Sequence, residues 1–130
     1  MVFGTHLIID AKCEGNITDK NHIQNFIDEL VEDMGMKKKG LTLFEYFEDN
    51  DYNRERDIVG YSVVQIISLS SITIHINEIS KTIYCDCFTC SQLDKERVIN
   101  IFKKYFEPIS IKTIELKRDA IDLNLPFVEN

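Results

Sequence analysis

The residue types that can do chemistry concentrate between positions 60 and 90 of this 130-residue chain. The stretch "SLSSITIH" sets Ser70 and Ser71 side by side and follows them with His75. The stretch "CDCFTC" ends on Cys90, with Cys85 and Cys87 before it. A hydroxyl or thiol becomes a nucleophile when a base stands beside it or its pKa is lowered. Each group also has an ordinary reading. A strand histidine is more often a core residue than a catalyst, and a serine pair often marks a strand edge or turn. Cys85 and Cys87 share one face of an alternating strand, as small buried hydrophobes do. Cys-x-Cys-x-x-Cys is not the paired spacing of a structural zinc site, and the fourth cysteine, Cys13, is remote; no metal site is expected. Cys90 differs, because it falls where a strand gives way to a helix start, a place that can lower a thiol pKa.

The elements that must carry these groups are legible from apolar periodicity. Residues 5–10 read as a strand, and 21–35 as a helix with its stripe at Ile23, Phe26, Ile27, Leu30, Val31 and Met34. Thr18 or Asp19 would cap this helix and Gly35 would end it. Residues 40–47, 58–70, 71–78 and 81–89 read as strands of an antiparallel meander, the middle two being either two strands or one bent one. Between them, 48–57 has almost nothing apolar and reads as a mobile loop or hairpin tip. Ser91 with Asp94 resembles a capping box for a second helix over 92–106, its apolar face being Val98, Ile101, Phe102, Tyr105 and Phe106. Pro108 stops that helix, 109–116 is a last strand, and 119–130 is irregular. The order β-α-β-β-β-β-α-β predicts an α+β two-layer sandwich, an antiparallel sheet with two helices on one face.

The totals narrow the function classes. A length of 130 residues suits a single domain spanning 1–130. With 22 acidic against 15 basic residues, the net charge of −7 argues against nucleic-acid binding and is compatible with a cationic small molecule. The start has no basic segment ahead of an apolar run, and no stretch is long enough to span a bilayer, so a cytoplasmic location without membrane contact is expected. Gly-rich phosphate loops, His-Glu-x-x-His and Gly-x-Ser-x-Gly are absent from the sequence.

Taken together, the motifs resemble the short, prokaryotic type of S-adenosylmethionine decarboxylase proenzyme over roughly residues 3 to 118. "FGTHLI" matches the family's Gly-x-His-Leu start at Gly4, His6 and Leu7. Phe44 and Phe47 match its Phe-x-x-Phe strand end, and Gly60 with Ser62 its Gly-x-Ser segment. "LSSITIH" stands where the family cuts itself, with Ser70 as the processed serine and His75 as the histidine. "DCFTC" puts Cys90 fifteen residues after His75, in register with the family's cysteine.

The resemblance implies a self-processing, pyruvoyl-dependent decarboxylase of polyamine (spermidine) biosynthesis. Cleavage between Leu69 and Ser70 would give a β chain, 1–69, and an α chain, 70–130, headed by a pyruvoyl cofactor made from Ser70. Ser62 and His75 would serve as acid/base groups in processing, and Cys90 as the proton donor after CO2 leaves a Schiff-base-bound substrate. Phe47 and Phe3 would stack on the substrate's adenine. A homodimer with sheets facing one another is implied. The sequence departs from the family at Leu69, where a Glu is usual, and at Glu78, which arrives one residue early, with Ile79 in the usual place. A one-residue shift turns a strand side chain to the other face, so only a bulge would return Glu78 to a ligand role. Two readings follow: an active decarboxylase, on S-adenosylmethionine or on arginine or ornithine, and an uncleaved homologue that binds a ligand or partner chain.

Overall fold

A computed structural model describes residues 4–15 and 17–128. The elements run β1 (Gly4–Cys13), α1 (Lys20–Asp33), β2 (Leu43–Phe47), α2 (Asp51–Glu55), β3 (Gly60–Ile67), β4 (Ser70–Asn77), β5 (Thr82–Thr89), α3 (Lys95–Phe106) and β6 (Pro108–Arg118). Six strands form one sheet in the order β2-β3-β4-β5-β1-β6, antiparallel throughout. The expected α+β sandwich and the meander over 40–90 are what the chain forms. The stretch 58–78 is two strands, hinged at Ser68 and Leu69, with Ile67 opposite Ser70.

The core lies between the sheet and helices α1 and α3. From the sheet come Leu7, Ile9, Val63, Ile67, Ile72, Ile74 and Ile83, alternate residues of four strands. From α1 come Ile23, Phe26, Ile27, Leu30 and Val31, five of the six expected stripe residues; the sixth, Met34, is the C-cap and only partly buried. Asp19 is the cap that forms, accepting the Asn21 N–H at 2.9 Å, and Gly35 ends the helix with φ +69°. Helix α3 meets α1 through aromatic edges: Phe26 lies 5.8 Å from Phe102 and 5.0 Å from Phe106.

Three expectations need correction. Helix α3 begins at Lys95, because Asp94 is itself the cap and accepts the Arg97 N–H at 3.2 Å. Its buried face takes Ile99 fully, whereas Ile101 is only half-buried. The 48–57 segment holds a third helix, α2, which has no buried residue. Asn50 caps it at 2.8 Å, Asp49 holds Arg54 at 2.5 and 2.8 Å, and the Arg56 guanidinium covers the Tyr52 ring at 3.5 Å. Local polar contacts make this helix, so a search for apolar periodicity passes over it.

The second sheet face carries no helix-borne core. Its rows run across the strands: Glu45, Ser62, His75, Tyr84 and Asp10 in one, Ile66, Ser71, Phe88, His6 and Leu116 in another. Leu43, Phe47, Ile66, Tyr84 and Ile114, all on this face, are exposed. Among the described residues no helix is long and apolar enough to cross a membrane.

Candidate active site

Ser70 opens β4 directly after a two-residue turn whose second residue, Leu69, has φ +49°. That is left-handed backbone, a conformation costing roughly 1–2 kcal/mol for a residue with a side chain. Leu69 projects into solvent while Ser70 is buried. The Ser70 hydroxyl donates to the Ser68 carbonyl at 3.1 Å and receives the Cys90 N–H at 3.2 Å. Thr89 Oγ1 stands 3.4 Å away and Cys90 Sγ 3.9 Å away, and that thiol also faces the Ser68 carbonyl at 3.6 Å. Two strand ends thus meet, the start of β4 and the finish of β5, and they bring together the expected serine, cysteine and scissile bond.

The four cysteines divide sharply. Cys85 and Cys87 are buried, and loss of hydration holds both thiols above the ordinary value of 9.0, Cys87 to about 12. They are packing groups, as their spacing suggests. Cys90 is exposed. It is not at a helix N-terminus, as expected from sequence, because α3 starts only at Lys95. Its surroundings are the Ser70 hydroxyl and a carbonyl. No cluster of three metal-binding side chains occurs among the described residues.

Ser62 and His75 form the second cluster. They are direct partners across β3 and β4, and Ser62 Oγ lies 2.9 Å from His75 Nδ1. Gly60 makes this end of the sheet possible: a Cβ there would lie 1.9 Å from the Ile76 carbonyl oxygen, and its φ is +144°. His75 is exposed on the open face and is not a core residue. A cleft of about 320 Å³ beside it is lined by Phe47, Tyr61, Ser62, His75 and Tyr84. Phe47 is therefore with the serine–histidine pair. Phe3 lies outside the described residues. Glu78 accepts the Tyr46 hydroxyl at 3.3 Å and does not line that cleft.

Within one copy the two clusters do not meet. Five residues of strand separate His75 from Ser70, roughly 17 Å at the usual rise per residue, and the odd separation sends their side chains to opposite faces. A second cleft, about 640 Å³, opens at the Ser70 end, with Leu69, Phe88 and Cys90 on one side and Arg118, Leu125 and Phe127 on the other. Sequence reasoning missed its far wall, made by the end of β6 and the chain after it, because nothing in the irregular 119–130 stretch shows that it folds back. It also gave Thr89 no role, although Thr89 stands inside the quoted "DCFTC".

Comparison with known proteins bears on this arrangement. A model of the S-adenosylmethionine decarboxylase family matches residues 5–119. No significant match appears among curated proteins. The crystal structure of the adenosylmethionine decarboxylase from Aquifex aeolicus VF5 is similar to this chain with a TM-score of 0.74. Sequence identity is 16%, and the match covers 95% of this chain and 97% of that one. That likeness shows the fold. The family match spans the sheet, both core helices and both clusters, and the chain belongs to the S-adenosylmethionine decarboxylase family.

Proposed function

We propose that the chain is a proenzyme that cuts itself between Leu69 and Ser70 and then decarboxylates S-adenosylmethionine. The observation that carries this reading is the turn at Leu69–Ser70: strained backbone, a hydroxyl already held by the Cys90 N–H, and the Cys90 thiol beside it. The Ser70 hydroxyl would attack the Leu69 carbonyl, breaking the C–N bond and forming an ester. Removal of the Ser70 α-proton then expels the Leu69 carboxylate and leaves dehydroalanine. Water converts that to a pyruvoyl group and releases ammonia. The products are 1–69 and 70–130. A pyruvoyl carbonyl supplies an electron sink for CO2 loss. Cys90, beside Ser70, would return a proton, and Phe47, in the cleft by His75, would stack on a purine.

Proton removal requires a base, and the serine–histidine pair is at the wrong end of the same copy. A second copy solves this. The open face exposes Leu43, Phe47, Ile66, Tyr84 and Ile114 among polar residues, and self-complementary pairing is the commonest oligomer geometry. A two-fold axis near Thr73 and Asp86, midway along β4 and β5, would bring one copy's His75 toward the other's Leu69–Ser70 bond. It would also join the Phe47 cleft of one copy to the Cys90 cleft of the other.

The separation within one copy also favours a second reading, an uncleaved homologue that binds a ligand. Intact mass distinguishes them. The decarboxylase reading expects two fragments divided at Leu69–Ser70, and none from Ser70→Ala. A single 15.2 kDa species after prolonged incubation would sink it. Release of CO2 from S-adenosylmethionine, measured beside arginine and ornithine, identifies the substrate.

A further inference from the structure

The cleft beside Cys90 holds three charged side chains, Lys117, Arg118 and Asp119. Asp119 is committed to its own turn, its carboxylate accepting the N–H groups of Ile121 at 2.8 Å and Asp122 at 2.9 Å. Arg118 is differently placed. Its guanidinium carbon lies 5.2 Å from the centre of the Phe88 ring and 6.0 Å from that of Phe127. Among the described residues no carboxylate forms an ion pair with it.

The segment after β6 is built to place one of these rings. Asp119 turns it, Asp122 turns it again by accepting the Asn124 N–H at 3.1 Å, and the Lys117 N–H then binds the Phe127 carbonyl at 2.6 Å. Ring contacts leave the N–H groups of a guanidinium without hydrogen-bond acceptors, and these remain for a planar acceptor. The flat partner that matches this edge with two parallel bonds is a carboxylate. Leu123, Leu125 and Ala120 line the same space and lower the local polarity in which such a pair forms.

We propose that Arg118 holds the carboxylate of the amino-acid substrate in the cleft beside Cys90, and so sets its specificity for substrate over product. This rests on the decarboxylase reading above. The amine formed by CO2 loss has no carboxylate for Arg118 to hold. The anchor therefore binds what enters and releases what leaves.

The test uses the full-length chain with Ser70→Ala, which keeps the cleft and prevents both cleavage and covalent capture. S-adenosylmethionine and its decarboxylated form are titrated by calorimetry. Adding Arg118→Gln should weaken the first by roughly tenfold or more, the scale of a hydrogen bond between charged groups, and leave the second unchanged. Arg118→Lys should retain part of the affinity. Equal loss for both ligands, or no loss for either, overturns the proposal. Should neither ligand bind the Ser70→Ala chain, S-adenosylmethionine is the wrong substrate, and acetate becomes the probe. A shift of the Arg118 Nε–H resonance with acetate then upholds the anchor for another amino acid, and a resonance that does not move overturns it.

Discussion

Cys90 and Cys87 are three residues apart and chemically unlike. Cys87 faces the core and its thiol is pushed up to about 12, while Cys90 is exposed beside Ser70. In the native chain, iodoacetamide at pH 8 should label Cys90 and spare Cys13, Cys85 and Cys87, as peptide mass mapping would show. The buried pair also sets an alkaline limit. A thiol with a raised folded pKa favours the folded state below the unfolded value of 9.0; that preference is lost as pH rises toward about 12. Thermal midpoints should hold below pH 9.0 and fall above it, and less steeply in Cys87→Ala. The packing place of Cys87 was legible from sequence, because alternation assigns faces. The helix-start argument for Cys90 was not, because a cap at Asp94 and one at Ser91 look alike until the chain is seen. The Leu69 backbone was invisible for a similar reason: leucine does not advertise left-handed φ as glycine does.

Elements, more than side chains, decide where the chemistry sits. The β3–β4 register pairs Ser62 with His75 and Ile67 with Ser70, so one hairpin holds both clusters at its two ends. Gly60 anchors the far end. Gly60→Ala should destabilise the fold by about 3 kcal/mol, from a steric clash and a disfavoured φ, measured as a drop in the urea midpoint. The resemblance made Ser62 and His75 partners of Ser70, and a motif match cannot show that five steps along a strand carry a group to the opposite end and face. Helix α2 eluded the same reading, since caps and ion pairs hold it where apolar spacing is silent. The stripe of α1, by contrast, was visible residue by residue, because the sheet buries the face that the periodicity marks.

At the scale of the whole molecule the open face governs. If cleavage draws His75 from a second copy, Ser70→Ala and His75→Ala chains should each stay whole when made alone. Mixed by co-expression, the His75→Ala chain should be cut, because its partner donates the histidine; mass spectrometry of the mixture reads this directly. No fragment in the mixture would show that the pair does not act across copies. A sheet with α1 and α3 packed on one side and Leu43, Ile66 and Ile114 bare on the other has a surface to cover. The sequence foretold the two layers, yet gave no means of locating the bare side, which follows only from strand order and register.

The turn at Leu69 carries one more consequence. Eight residue pairs join β3 to β4, so breaking the bond between them leaves both pieces in the same sheet. What changes is the molecularity of unfolding. Each uncut copy unfolds as one chain, whereas each cut copy comes apart into two, so the melting temperature of the cut protein should rise more steeply with protein concentration than that of the uncut Ser70→Ala chain. Heated and cooled in dilute solution, the uncut Ser70→Ala chain should recover its fold far more fully than the cut protein. Self-cleavage would thus make a fold that can be built only once.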